Sequence, residues 1–260
     1  MIIATWNINS IKARLETALA WVREAKPDVL CLQELKCETD AFPATAFEEL
    51  GYTCTIHGQK TYNGVALLSK SPPEDVRRGL PGDVSDTQSR YIEALFPFGK
   101  RIVRVASIYL PNGNPLGTEK FPYKLGWMDR LHAHAKRLLK LEEPLVMAGD
   151  YNVIPKPIDA RHPEAWVNDA LFQPESRAKF RELQTLGFTE AVRAMAGDQP
   201  GLYTFWDYQA GAWQKNNGIR IDHLLLSPQA ADHLKAVRID KHVRGWEKPS
   251  DHVPVVITLA

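Results

Sequence analysis

Nine short runs of apolar, largely β-branched residues recur along the chain, and polar residues adjoin most of them. Runs of this length are typical of buried strands, and the amphipathic segments between some of them are typical of helices packed on a sheet. The sequence therefore predicts an α/β or α+β fold. The predicted strands cover residues 2–8, 29–32, 52–57, 65–69, 91–96, 102–109, 145–148, 219–227 and 254–259.

Two helices are predicted from apolar side chains that recur at helical spacing. The first is expected to follow Asn9 or Ser10, either of which can cap it, and to end before Pro27. The second is expected from about Lys120 to Leu141. Its apolar face is expected to contain Leu125, Met128, Leu131, Ala135 and Leu138.

The segments 71–83, 112–117 and 155–163 are rich in Pro and Gly and are predicted to be loops. None is long enough to be a convincing interdomain linker, so we expect one domain over residues 1–260. The three cysteines lack a C-x-x-C pair, and we expect reduced thiols rather than disulfides or a zinc site.

The chain has neither a signal-peptide pattern nor an apolar run near the ~18 residues that span a bilayer. We therefore expect a cytoplasmic protein, a monomer, without a membrane partner. The formal net charge is +1, so contact with a nucleic acid would need a local basic patch.

Polar side chains gather at the ends of the predicted strands. Those at carboxyl ends are Asn7, Asn9, Glu34, Tyr109, Asp150 and Asn152, and those at amino ends are Asp222, Asp251 and His252. If the last two strands run opposite to the others, all of these groups reach the same edge. The pattern thus predicts a mixed sheet with one polar rim. Each residue taken singly is also compatible with an ordinary turn.

The chemistry of this set favours a site over a series of turns. Carboxylates, an imidazole and a phenol can transfer protons, and oxygen ligands suit Mg²⁺, Mn²⁺ or Ca²⁺ better than zinc. A cluster of acidic groups would also repel itself without a cation nearby.

The motifs around these residues resemble those of the exonuclease III family of apurinic/apyrimidinic endonucleases, in order and spacing, over nearly the whole chain. They are Trp6-Asn7-Ile8-Asn9, Leu32-Gln33-Glu34-Leu35-Lys36, Tyr109-Leu110-Pro111-Asn112-Gly113, Gly149-Asp150-Tyr151-Asn152, Tyr203-Thr204-Phe205-Trp206-Asp207-Tyr208, Arg220-Ile221-Asp222 and Ser250-Asp251-His252. A wider superfamily, with deoxyribonuclease I and inositol-phosphate or sphingomyelin phosphodiesterases, shares the glutamate and the final motif. The segment 152–180 matches no pattern of the family.

The resemblance implies a four-layer α/β sandwich, in which two mixed β-sheets pack face to face between flanking helices. It implies a Mg²⁺-dependent DNA-repair phosphodiesterase, with Mn²⁺ as a substitute. The implied substrate is double-stranded DNA with abasic sites or 3′ ends. The backbone would be cut 5′ to abasic sites, and nucleotides or blocking groups would be removed from 3′ ends.

Two other functions stay open. A phospholipid or inositol-phosphate phosphodiesterase could use the same scaffold, although basic loop residues and the aromatic run 203–208 favour DNA. A catalytically inactive binding module ranks last, because no catalytic position of the resemblance is lost.

The resemblance and the chemistry of phosphodiester hydrolysis together suggest roles for the rim residues. Glu34 is expected to be the principal metal ligand, with Asn7 beside it. Asp251 is expected to be a further ligand or a hydrogen-bond acceptor next to the ligands. Phosphodiester hydrolysis also needs an activated water and compensation of charge on the phosphoryl oxygens.

Five residues are expected to act on the reacting groups. Asp150 would orient and deprotonate the attacking water, with Asn152 beside it. His252 would donate to the phosphate as an imidazolium that Asp222 orients. Tyr109 would donate to the phosphate or assist the leaving oxygen, or is simply a packed ring with a polar tip.

Further residues are expected to contact DNA. Candidate polar contacts are Asn9, Lys36, Lys60, Arg90, Asn112 and Lys120. Each of the last five, taken singly, is equally compatible with a solvated surface residue. Phe205, Trp206 and Ile221 are expected to form apolar walls that admit a sugar without its base, although aromatic alternation is also typical of a core strand. Four histidines are expected at the surface, namely His132, His134, His233 and His242.

Overall fold

Twelve strands form two sheets in the computed structural model, which describes residues 1–260. The strands are β1 (Ile2–Asn7), β2 (Val29–Gln33), β3 (Thr53–His57), β4 (Val65–Ser69), β5 (Glu74–Arg78), β6 (Tyr91–Phe98), β7 (Arg101–Tyr109), β8 (Leu145–Asp150), β9 (Thr189–Glu190), β10 (Asp222–Leu226), β11 (Leu234–Ile239) and β12 (Val255–Leu259). The first sheet has the order β11-β12-β1-β2-β4-β3, and the second has the order β5-β6-β7-β8-β10-β9.

Both sheets are mixed. In the first, β1 is parallel to β2 and antiparallel to β12. In the second, β8 is parallel to β7 and antiparallel to β10. The strand that carries Asp222 is β10, and the strand that follows His252 is β12. Each runs opposite to its neighbour as predicted, although the two strands belong to different sheets.

The two sheets pack face to face over an apolar core. Ile3, Val29 and Leu67 of the first sheet belong to the same buried cluster as Val105 and Val146 of the second. Side chains alternate between the two faces of a strand, so each sheet also has an outer apolar face that must be covered.

Helices cover these outer faces. They are α1 (Leu15–Ala25), α2 (Ala44–Glu48), α3 (Lys120–Leu139) and α4 (Pro174–Thr185). Two shorter helices, α5 (Ala191–Ala196) and α6 (Pro228–Ala231), instead contribute buried residues to the core between the sheets. α1 buries Trp21 against the first sheet, while α3 and α4 bury Trp127 and Phe180 against the second. The predicted four-layer sandwich is confirmed. None of the helices is both long and apolar enough to cross a lipid bilayer.

The predicted start of the first helix was wrong. α1 begins at Leu15, and its N-cap residue Arg14 makes no side-chain capping bond. Asn9 and Ser10 instead have φ values of 47° and 83°, so they form part of the turn that leaves β1. The polar side chain of Asn9 is thereby directed to the rim of the sheets, where it bonds Asp251.

Three edge strands and one long helix were not predicted. The shortest of these strands is β9, with two residues. β5 lies inside the expected loop 71–83, and β11 also forms a sheet edge. Both carry charged residues along their length, because an edge strand is exposed and does not need a continuous apolar run. α4 is polar over most of its surface and buries only Ser176, Phe180 and Leu183.

The prediction that His134 lies at the surface was also wrong. Its side chain is buried, and its Nε2 lies 3.1 Å from Oε2 of the buried Glu93. The ring also packs edge-on against Tyr91. His132 and His233 are half-buried, while His242 is exposed as expected.

We expect Leu131→Ala to lower the free energy of unfolding by about 2 to 5 kcal/mol, because Leu131 is buried between α3 and the second sheet and the smaller side chain leaves a cavity. The exposed Leu141 is the matched control, and its replacement by Ala should change stability by no more than about 0.5 kcal/mol. Denaturant unfolding measures both. Equal effects of the two substitutions would contradict the packing of α3.

Candidate active site

The polar strand ends meet at one rim between the two sheets. The side-chain nitrogen of Asn7, at the end of β1, donates to Glu34 Oε1 and to Asp150 Oδ2, both at 2.9 Å. Asp150 at the end of β8 pairs directly with Asp222 at the start of β10. His252, which precedes β12, places Nδ1 at 2.9 Å from Asp222 Oδ2. The rim predicted from strand ends is thus assembled from both sheets.

His252 lies between two carboxylates. Its Nδ1 faces Asp222 at 2.9 Å and its Nε2 faces Asp150 at 3.7 Å. Burial alone would lower the pKa of the imidazole, but Asp222 and then Asp150 outweigh it and raise that pKa well above its usual value. The ring is therefore an imidazolium at neutral pH, able to donate from Nε2.

Asp150 is a buried carboxylate at the rim. Burial raises its pKa, and the neighbouring Asp222 adds to the rise, while His252 and the amide of Asn7 oppose it. Its Oδ1 also accepts the backbone N–H of Asn152 at 2.9 Å. A carboxylate with a raised pKa and a fixed orientation is suited to accept a proton near neutral pH.

Gly149 allows β8 to approach β7 just before this carboxylate. A Cβ atom at position 149 would lie 2.0 Å from the carbonyl oxygen of Ile108, so no other residue fits without movement of the backbone. The glycine therefore determines how closely the strand that ends in Asp150 pairs with its neighbour.

Glu34 follows β2 and remains ionised. Burial would raise its pKa, but the Lys36 ammonium, the Asn7 amide and His252 together lower it below the usual value. The Nζ of Lys36 lies 3.0 Å from Glu34 Oε2 and 2.5 Å from Asn9 Oδ1. Lys36 thus lies at the rim, where it balances the charge of the glutamate, and its contact with DNA stays a prediction.

The residues present fit a hard divalent cation. Glu34 is an ionised oxygen donor that already binds a positive group, the ammonium of Lys36, at 3.0 Å. Asn7 presents its nitrogen to Glu34 and its oxygen to the backbone N–H of Asn9, so it orients the glutamate. Asp251 is joined to this cluster through Asn9, which donates to Asp251 Oδ1 at 3.0 Å. Mg²⁺ commonly binds one or two carboxylates and fills its other positions with water and substrate phosphate.

Tyr109 closes β7 beside these acidic groups. Burial raises the pKa of its phenol, and the Glu34 and Asp150 carboxylates raise it further, so the hydroxyl stays protonated and can donate. The guanidinium of Arg90 lies 4.9 Å from the ring centroid and donates to the Tyr109 carbonyl. Arg90 therefore fixes the tyrosine in addition to the DNA contact predicted for it.

Several rim residues have left-handed backbone conformations. The φ values are 47° for Asn9, 52° for Glu34, 54° for Lys36 and 47° for Asn152. Such a conformation costs an L-residue roughly 1 kcal/mol, less for Asn, and persists only where the surrounding structure imposes it. The turns after β1, β2 and β8 are thus held in unfavourable geometry that aims their side chains into the rim.

The other predicted DNA contacts occupy loops or helix ends. Lys60 is exposed in the turn between β3 and β4, at the end of the first sheet where β2 also ends. Lys120 is the exposed first residue of α3. Asn112 is exposed and donates from its side chain to Asn152 Oδ1 at 3.2 Å.

The predicted apolar pocket is only partly supported. Phe205 is half-buried and meets the His252 ring edge-on, with centroids 5.0 Å apart. Trp206 is 0% exposed and packs on Trp213, so its prediction as a wall that touches DNA was wrong. Ile221 is 2% exposed and belongs to the apolar cluster behind Phe205, so it was also misplaced at the surface.

One residue near the rim was missed by the sequence analysis. Lys124 on α3 is buried, although the predicted apolar face placed Leu125 inward instead. The signal was present in the spacing, because position 124 precedes Met128 by four residues and Leu131 by seven. A lysine on an apolar face is easily assigned to the helix surface.

The sequence profile of the Endonuclease/Exonuclease/phosphatase family matches residues 4–252, which include all of the rim. The chain belongs to this family. Among its members, exodeoxyribonuclease III of Haemophilus influenzae is 34% identical over 258 residues, which cover 96% of the chain and 97% of that protein. The DNA repair nuclease APEX1 of Danio rerio is 35% identical over 265 residues, which cover 100% of the chain and 82% of that protein.

Solved structures of the same family share the whole fold. The 3′ phosphatase NExo from Neisseria, bound to a product DNA hairpin, superposes with a TM-score of 0.95 at 39% identity. That comparison covers 100% of the chain and 99% of NExo. An AP endonuclease from Archaeoglobus fulgidus superposes with a TM-score of 0.93 at 36% identity, again over 100% and 99% of the two chains.

We expect Asp222→Asn to lower the pKa of the His252 imidazole, because the substitution removes the carboxylate that most raises it. At mildly alkaline pH the wild-type ring should stay protonated, while the variant ring should become neutral. NMR titration of the imidazole nitrogens in metal-free protein measures this. The exposed Asp40 has no contact with His252, so Asp40→Asn is the control. An unchanged titration in Asp222→Asn would contradict the assigned charge state.

Proposed function

We propose that this chain is a Mg²⁺-dependent DNA repair nuclease that cuts the DNA backbone 5′ to abasic sites and removes nucleotides or blocking groups from 3′ ends. The observation that carries the proposal is the position of His252 between Asp222 and Asp150, with Asp150 joined to Glu34 through the Asn7 amide. An imidazolium donor, a buried proton acceptor and a cation ligand thus surround one point on the rim.

The comparisons support DNA as the substrate. Members of the family that match nearly the whole chain are named exodeoxyribonuclease III and DNA repair nuclease APEX1. NExo is a 3′ phosphatase with a DNA product, and the Archaeoglobus protein is an AP endonuclease. These names favour a DNA substrate over the phospholipid or inositol-phosphate alternative.

The abasic-site and 3′-end activities need the same chemistry. Water attacks the phosphorus of a phosphate ester, and the bond from phosphorus to the 3′ oxygen of the sugar breaks, so that this oxygen leaves as a hydroxyl group. Asp150 holds the attacking water and accepts its proton, and its raised pKa makes it a competent base. His252 donates from Nε2 to a non-bridging phosphate oxygen while Asp222 holds its other nitrogen. The protonated Tyr109 lies beside Glu34 and Asp150, so it would donate to a phosphate bound at the same point.

Glu34 would hold the metal, and Asn7 and Lys36 orient the carboxylate of Glu34. When bound, Mg²⁺ supplies charge neutralisation at the phosphoryl oxygens. Asp251 is held towards the same cluster by Asn9, where it would be a second oxygen ligand or a hydrogen-bond acceptor next to the ligands.

The proposal is tested with two DNA duplexes, one with a single abasic analogue and one with a recessed 3′ end that carries a 3′ phosphate. Wild-type protein should act on both in Mg²⁺ and on neither with chelator. Asp150→Asn and His252→Asn should each lose about 100-fold or more in kcat while DNA binding persists, because both act on charge that develops in the transition state. Absence of cleavage of either duplex by wild-type protein would overturn the proposal. A variant within about tenfold of wild type would remove that residue from the mechanism.

We expect Glu34→Gln to shift the Mg²⁺ concentration for half-maximal activity upward by about tenfold or more, because an amide is a weaker ligand than a carboxylate. The matched control is Glu48→Gln on α2, which should leave the titration unchanged. Activity as a function of Mg²⁺ at fixed ionic strength measures both. A Glu34→Gln curve that overlays the wild-type curve would place the metal elsewhere.

A further inference from the structure

Lys124 is a fully buried lysine that the proposed chemistry does not use. Its relative exposure is 0%, although lysine is almost never completely buried unless it is paired. It lies on α3, whose neighbouring inward positions are apolar, so its amino group has been removed from water at a considerable cost in free energy. An amino group that is buried at such a cost needs hydrogen-bond acceptors inside the protein.

The partners of Lys124 are two backbone carbonyls next to the rim. Its Nζ donates to the Asn152 carbonyl at 2.5 Å and to the Asn112 carbonyl at 3.0 Å. One lies two residues beyond Asp150 in the turn after β8, and the other lies in the loop that leaves Tyr109 at the end of β7. The ammonium thus joins two turns that both emerge from strands of the active site.

Asn152 is a buried residue of the turn after β8, so its polar groups need partners within the protein. It has a left-handed backbone conformation, with φ at 47°. Its backbone N–H donates to Asp150 Oδ1 at 2.9 Å, and its side chain donates to the Leu110 carbonyl at 2.9 Å. The contact with Lys124 completes the set, so every polar group of the residue that orients Asp150 has a partner.

The loop before α3 is shaped around the lysine. Gly113 has φ at 89°, and a Cβ atom there would lie 2.7 Å from the Cδ of Lys124. The backbone of the loop therefore rests directly on the lysine stem. Beyond it, Asn114 bonds Asp169 at 3.0 Å, which extends the same network to the segment before α4.

We propose that Lys124 is a positioning residue for the nuclease reaction, which clamps the carbonyls of Asn152 and Asn112 and so fixes the direction in which Asp150 meets its water. This inference rests on the proposed function. Lys124 makes no hydrogen bond to the proposed metal ligands, and its two bonds are to the backbone of the turns after β7 and β8, so it acts through those turns.

The charge of the clamp is supported by two carboxylates. Burial lowers the pKa of Lys124 to about 7, and Asp150 and then Asp169 oppose that decrease. These are the acidic groups that face it, from β8 and from the segment before α4. A neutral amine would keep donor N–H groups, so the hydrogen bonds to the two carbonyls do not depend on full protonation.

The test compares Lys124→Met with wild-type protein and with the matched control Lys136→Met, an exposed lysine on the same helix. We expect Lys124→Met to lower kcat by about 10- to 100-fold, since a small displacement of a catalytic group is enough for such a loss. The Kd for abasic duplex in chelator should stay within about threefold of wild type, with full binding stoichiometry. Lys136→Met should match wild type in both quantities. Lys124→Arg keeps the positive charge and the hydrogen-bond donors, so its kcat should exceed that of Lys124→Met by about tenfold or more.

Three results would overturn the inference. One is a kcat for Lys124→Met within about twofold of wild type. Another is a fall in binding stoichiometry that matches the fall in kcat, which would make Lys124 a folding residue only. The third is an Arg variant as slow as the Met variant. If Lys124→Met does not fold, Lys124→Gln is measured in the same way, and normal turnover in it overturns the clamp. Wild-type protein that fails to cut DNA would overturn the proposed function itself, whereas the binding measurements do not depend on cleavage.

Discussion

The amide of Asn7 is the contact on which the rest of the site depends. Asn7 is the last residue of a strand of the first sheet. Its side-chain nitrogen donates at 2.9 Å to Glu34, which follows a strand of the same sheet, and at 2.9 Å to Asp150 of the second sheet. These two bonds exist only if the sheets pack at one spacing, and that spacing is determined by the apolar side chains between them. The large core therefore has a direct consequence for chemistry, because it sets the distance between the metal-binding side of the rim and the proton-accepting side.

A second consequence of bringing the sheets together is electrostatic. Four carboxylates converge at one edge, and the protein offsets their repulsion with the His252 imidazolium and the Lys36 ammonium. Each cation lies beside a different subset, His252 between Asp222 and Asp150 and Lys36 beside Glu34. The two halves of the rim thus keep different properties. One half retains a buried carboxylate with a raised pKa, and the other retains an ionised carboxylate suited to a metal.

Much of this arrangement could be predicted from the sequence, because strand ends are marked by abrupt changes from apolar to polar residues. Asp150, Asp222 and His252 were placed together by a simple argument about strand direction, and the structure brings them together. The failures have a common physical origin. Lys124 was left out of the inward face of its helix and His134 was assigned to the surface, because their buried partners, backbone carbonyls and Glu93, are distant in sequence. Trp206 was placed in a pocket because alternation alone does not tell which face of a segment is inward. The charged edge strand β5 lacked an apolar run.

The left-handed turns at the rim bear on how such a protein can change over generations. Glu34 and Lys36 occupy backbone conformations that glycine would adopt more easily, so mutation towards glycine there would relieve strain while it deletes a working side chain. At these positions, selection for thermal stability therefore favours glycine, whereas selection for catalytic activity favours the present side chains. In relatives that no longer need the reaction, we expect these residues to be replaced first, and the replacements should raise the free energy of unfolding.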